Sequence, residues 1–119
     1  MKGERILLAD DMDFVLDSTA RGIKKFGEND GHQVVARAAS VDEVKALMEG
    51  GSKPTVALVD NAFPTEGSGR EAAEIIKQFS PDTFIISFSS TSGLKWGQEN
   101  WLKGMSIKQL VEALTKLQH

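Results

Sequence analysis

Short apolar runs alternate along this chain with segments of helical period, and that alternation leaves few folds open. Arg5 to Ala9 reads as a buried strand, and Met12 to Phe26 carries Val15, Thr19, Ile23 and Phe26 at helical spacing before Gly27 ends it. Gln33 to Ala38 predicts a second strand. Ser40 with Glu43 three residues on is a capping-box signature, opening a helix with Val44, Leu47 and Met48 on one face and Gly50-Gly51 as its stop. Pro54 leads into a third strand, Thr55 to Val59. A helix from Arg70 to Phe79 presents Ala72, Ile75, Ile76 and Phe79, and Ser80-Pro81-Asp82 breaks it. Thr83 to Phe88 and Asn100 to Leu102 predict the fourth and fifth strands. Ser106 caps a last helix with Ile107, Leu110, Val111, Leu114 and Leu117 on one face. Crossovers of this length join parallel strands, so the expected class is α/β, a parallel sheet covered on both faces.

The interval from Ser89 to Glu99 departs from the pattern. Two glycines and a Ser/Thr cluster stand where a crossover helix is expected, and Leu94 and Trp96 are its only large apolar residues. An average helix takes about 11–12 residues, so the fourth crossover is expected to be a loop or a single turn, mobile in the free protein.

Size and charge narrow the function. The 119 residues, 40% hydrophobic and 26% charged, predict one domain spanning 1–119 with no attached output domain. A net charge of −3 lacks the basic face that phosphate neutralisation requires, so no nucleic-acid partner is expected. The absence of cysteine excludes disulfides, zinc thiolate sites and thiol catalysis. No apolar stretch approaches the ~20 residues that span a bilayer, so no membrane association is expected and a cytoplasmic location is the default.

Asp10, Asp11, Asp60 and Lys103 each stand where an apolar run stops. In an open parallel sheet those run ends share the edge where ligands bind. Three carboxylates facing one ammonium call for a hard cation, and without one at least one carboxyl pKa is expected to rise. Blander roles compete. Asp10 or Asp11 could cap the helix that follows, Asp60 could serve a turn, and Lys103 could be a solvated surface lysine. His32 and His119, an isolated loop residue and the last residue, are assigned no catalytic or metal role, and Trp96 and Trp101 read first as packing, with Trp96 a possible partner anchor.

The order Asp10-Asp11, then Asp60-Asn61-Ala62-Phe63-Pro64, then Ser89, then Lys103, each after its strand, resembles the receiver domain of bacterial two-component response regulators over essentially the whole chain. The resemblance implies a flavodoxin-like, doubly wound, five-stranded parallel sheet of order 2-1-3-4-5, here with the fourth crossover helix reduced to a loop. It implies that Asp60 accepts a phosphoryl group from a histidine kinase or phosphotransfer protein. Mg²⁺ would be held by Asp10, Asp11, Asp60 and the backbone carbonyl of Ala62. Ser89 would be the switch hydroxyl, with Ser90 as the alternative one place on, and Lys103 the phosphate-contacting lysine. Such a chain is a switch rather than a turnover enzyme: it catalyses only its own phosphorylation and dephosphorylation, and it signals by contact with a target protein. Two departures carry expectations of their own. Gly104 stands where the family usually has proline, so the loop bearing Lys103 is expected to be differently aimed. Asn100 stands where the family's switching aromatic lies, with Trp101 on the opposite side of the strand. The alternative is a degenerate, phosphorylation-independent receiver acting as an interaction module. A flavodoxin-like binder of a small ligand is weaker, since an acidic pocket repels a flavin phosphate and no glycine-rich loop follows the first strand.

Overall fold

The computed structural model describes residues 3–61, 63, 65, 67–90 and 93–119. Five strands, β1 (Arg5–Ala9), β2 (Gln33–Ala38), β3 (Val56–Val59), β4 (Phe84–Ser89) and β5 (Glu99–Leu102), form one parallel sheet in the order β2-β1-β3-β4-β5. Among the described residues, four α-helices, α1 (Asp13–Gly27), α2 (Val41–Glu49), α3 (Ser68–Phe79) and α4 (Ile107–Lys116), lie between and after the strands. The central strands β1 and β3 are apolar at every inner position because both their faces are covered.

Two cores result, one on each side of the sheet. Leu7, Ala9, Ala57, Val59 and Ile85 face Val44, Met48, Ala72, Ala73 and Ile76 of α2 and α3. Ile6, Leu8, Val56, Leu58, Ile86 and Phe88 face Leu16, Ala20 and Ile23 of α1 and Leu110, Val111 and Leu114 of α4. The strand residues alternate between the two sets, as a pleated strand requires. α1 and α4 come close together at Gly22, where a Cβ would lie 2.0 Å from Cγ2 of Ile107.

The helices differ from their sequence signatures in three places. α1 buries Leu16, Thr19, Ala20, Ile23 and Gly27, whereas Phe26 is 42% exposed. The apolar stripe is therefore rotated toward the small residues that let α1 approach the sheet. α3 begins two residues before Arg70, after Gly67 at φ +91°. The box at Ser40 is shifted on its return side: Ser40 Oγ accepts from the Glu43 N–H, but Glu43 Oε1 accepts from Ala39 N–H rather than from Ser40. A full capping box opens α4, with Ser106 and Gln109 bonded reciprocally. His32 is buried and built into the fold: its Nδ1 accepts from the Glu4 N–H, and its Nε2 lies 3.0 Å from Thr115 Oγ1.

The fourth crossover contains no helix among its described residues. Residues 96–98 instead lie along β4, where the Gln98 N–H donates to Ile85 O (2.8 Å) and Gln98 Oε1 accepts from the Ile85 N–H (2.9 Å). Trp96 packs against the core on the α2/α3 side.

Candidate functional site

Each strand that borders the site is continued by one further backbone bond to its neighbour. Asp10 N–H donates to Ala38 O, Asp60 N–H to Ala9 O, and Lys103 N–H to Ser89 O, at 2.9–3.0 Å. The sheet thereby fixes the backbone of three charged residues at a single edge, and their side chains converge. Lys103 Nζ lies 2.6 Å from Asp10 Oδ2 and 3.1 Å from Asp60 Oδ1. Asp10 Oδ1 also accepts from the Met12 N–H (3.0 Å), an Asx-type turn that aims the carboxylate inward. The capping alternative for Asp10 is thus realised only as this local turn, while its second oxygen faces Lys103. Asp11 is exposed beside it. One carboxylate oxygen from each of Asp10, Asp11 and Asp60 falls within 4.8 Å of the others, a set able to hold a cation.

The electrostatics follow from this crowding. Partial burial, and then the neighbouring Asp10 charge, hold the Asp60 carboxyl above its ordinary pKa, although Lys103 and the Asn61 N–H pull the other way. Lys103 sits above its ordinary pKa as well. Burial opposes its charge, but the bonds and charges of Asp10 and Asp60 together outweigh that. The lysine is held as a cation between two acids.

Gly104 does not turn Lys103 away from the site. The chain reverses through a turn closed by Met105 N–H to Leu102 O (3.2 Å), with open space at Gly104, and Lys103 still reaches both acids. Ser89 ends β4, buried, with its carbonyl bound to Lys103 N–H. Ala62 lies outside the described residues. Asn100 accepts from Ser87 Oγ (2.5 Å), which pins it to β4, and Trp101 packs on the α1/α4 side with its indole N–H on Glu99 Oε1 (2.7 Å).

Two residues given no site role in the sequence analysis, Asn61 and Trp96, join the site as a pair. Asn61 Oδ1 accepts from the Trp96 indole N–H at 3.1 Å, so the fourth crossover is tied to the residue that follows Asp60. The spacing of 35 residues hides such a pair from any local pattern.

No family model matches the chain, and no curated protein matches it. Solved structures do. A two-component response regulator of the LuxR family from Aurantimonas sp. aligns at 28% identity over 94% of this chain and 82% of that one, with a TM-score of 0.78. A DNA-binding response regulator of the LuxR family from Staphylococcus aureus aligns at 20% identity, covering 95% and 97%, with a TM-score of 0.75. The response regulator TrrA of Thermotoga maritima, in complex with Mg²⁺ and beryllium fluoride, aligns at 22% identity over 99% and 100%, with a TM-score of 0.73. With five parallel strands in the order β2-β1-β3-β4-β5, this chain has the fold of a response-regulator receiver domain, one that lacks a helix among the described residues of its fourth crossover.

Proposed function

We propose that this protein is a phosphoacceptor switch that takes a phosphoryl group on Asp60. The observation that carries the reading is Lys103 Nζ held between Asp60 and Asp10 at 3.1 and 2.6 Å, which sets a fixed cation beside the carboxylate that would attack. The donor would be a phosphohistidine of a histidine kinase or phosphotransfer protein. An Asp60 oxygen attacks phosphorus, the new P–O bond forms as the P–N bond breaks, and the imidazole nitrogen keeps the electron pair and takes a proton. Phosphoryl transfer asks mainly for positioning and charge neutralisation. Lys103 supplies part of that neutralisation.

Mg²⁺ fits the donors, because Asp10, Asp11 and Asp60 offer only hard oxygen ligands within reach of one point. When bound, it would offset the charge of these carboxylates and of the transferred group. The hydroxyl of buried Ser89, at the end of β4, would donate a hydrogen bond to the transferred group. The reaction ends with the chain modified and its surface altered, so the output is contact with a target protein in the cytoplasm.

Intact-mass analysis after incubation with a small-molecule phosphodonor and Mg²⁺ tests this. One acid-stable, base-labile adduct is expected, absent in Asp60→Asn and formed much more slowly in Lys103→Ala. An adduct that persists in Asp60→Asn refutes the site, and no adduct in any variant favours a phosphorylation-independent interaction module.

A further inference from the structure

Asn61 is held in three directions. Its backbone N–H pulls the Asp60 pKa down against burial, its carbonyl accepts from Gly69 N–H in the first turn of α3 (3.1 Å), and its side chain accepts from the Trp96 indole (3.1 Å). The ring lies so close to α3 that a Cβ at Gly69 would stand 2.9 Å from its Cζ2, and 2.1 Å from the Asp60 carbonyl oxygen. Glycine at position 69 is what admits the ring. Below it, the pair of hydrogen bonds between Gln98 and Ile85 anchors the chain, so Trp96 pivots on a fixed base. Beside it runs a hollow of about 290 Å³ against α3, with Ala73, Ile85 and Trp96 on its wall.

We infer that Trp96 is the output side chain of the Asp60 site, latched to Asn61 when Asp60 is a free carboxylate and released when Asp60 carries a phosphoryl group. This rests on the reading of Asp60 as the acceptor. The negative charge of an ionised Asp60 attracts the neighbouring Asn61 N–H. Acyl phosphate formation turns one of its oxygens into a bridging atom and leaves the other a neutral carbonyl, so the anchor on the 60–61 peptide weakens. The Asn61 side chain shares that peptide's orientation, and the Trp96 bond depends on it. Release lifts the indole from Gly69 and widens the hollow beside α3. Coupling is reciprocal, so a docked Trp96 also opposes the phosphoryl group. The device takes the place of a crossover helix, which the described residues of the fourth crossover lack, and of a switching aromatic at position 100 of β5, where Asn100 stands.

The full chain carrying Trp101→Phe leaves Trp96 as its only indole. With Mg²⁺ and beryllium fluoride as the phosphoryl mimic, its emission is expected to shift to longer wavelength, with no shift when Asp60→Asn is added. In the chain that retains Trp101, Trp96→Phe keeps an aromatic ring but loses the N–H. It is expected to bind the mimic roughly 2- to 10-fold more tightly, the range one hydrogen bond supplies, as read from the rise in melting temperature with beryllium fluoride concentration. Asn61→Ala should do the same, and the double variant should add nothing further. If intact mass shows the Asp60 adduct while Trp96 emission and the affinity of Trp96→Phe stay unchanged, the latch is wrong and the acceptor reading stands. If wild type gives neither an adduct nor a melting shift, both fall together.

Discussion

At the scale of single residues, the site is held by opposing charges. Asp60 has its folded pKa above the ordinary 3.8. The folded chain therefore binds its proton more tightly than the unfolded chain does, and stability falls as pH rises from 3.8 through the raised value. Asp60→Asn is expected to melt roughly 2–5 °C above wild type at pH 7, the equivalent of under ~1 kcal/mol in a domain of this size, and the advantage should vanish below pH 3.8. Lys103 runs the other way. Its raised pKa stabilises the fold at every pH below 10.5 and is lost as pH climbs past that value. Lys103→Ala leaves Asp10 and Asp60 facing each other without their cation, and thermal melts at pH 7 should show a fall of about 3–8 °C. A divalent ion can restore the balance: millimolar Mg²⁺ should raise the melting temperature of wild type, and Asp11→Ala should remove most of that rise. An identical wild-type melt with and without Mg²⁺ would end the metal assignment.

At the scale of elements, glycines separate tight junctions from open ones. Gly69→Ala drives a Cβ into the Asp60 carbonyl and the Trp96 ring, and urea unfolding should register a loss of about 1–3 kcal/mol. Gly104→Ala meets no atom within 4 Å and should be neutral, or stabilising by up to ~1 kcal/mol through the unfolded chain. Strand ends, cap residues and the order of the charged positions were legible in the sequence because period, capping and turn chemistry are local. The helix face of α1 was not: Leu16 and Ala20 replace Val15 and Phe26 as its buried stripe, since which face a helix buries depends on how closely its small residues let it approach the sheet. The loop bearing Lys103 was expected to be differently aimed on account of Gly104, yet the bond from the Lys103 N–H to Ser89 O holds its backbone at the sheet edge and its side chain reaches both acids. Trp96 and Asn61, 35 residues apart, meet only once the sheet has formed.

At the scale of the whole molecule, two cores share one sheet, and each has a tryptophan against it, Trp96 on the α2/α3 side and Trp101 on the α1/α4 side. Because β1, β3 and β4 contribute side chains to both, neither core can melt alone. Single-tryptophan variants are expected to give coincident denaturation curves, with matching midpoints and slopes; separated curves would mean the faces unfold independently. The fourth crossover, without a helix among its described residues, also bears on how the chain first becomes ordered. Parallel neighbours usually require a dozen or more intervening residues, but β4 and β5 are separated only by residues 90–98. The entropy of closing so short a loop is small, and Gln98, bonded on both sides to Ile85, sets the register just before β5 begins. Substitutions at Gln98 should therefore slow refolding, whereas those at the β1–β2 pair, joined through the whole of α1, should chiefly speed unfolding.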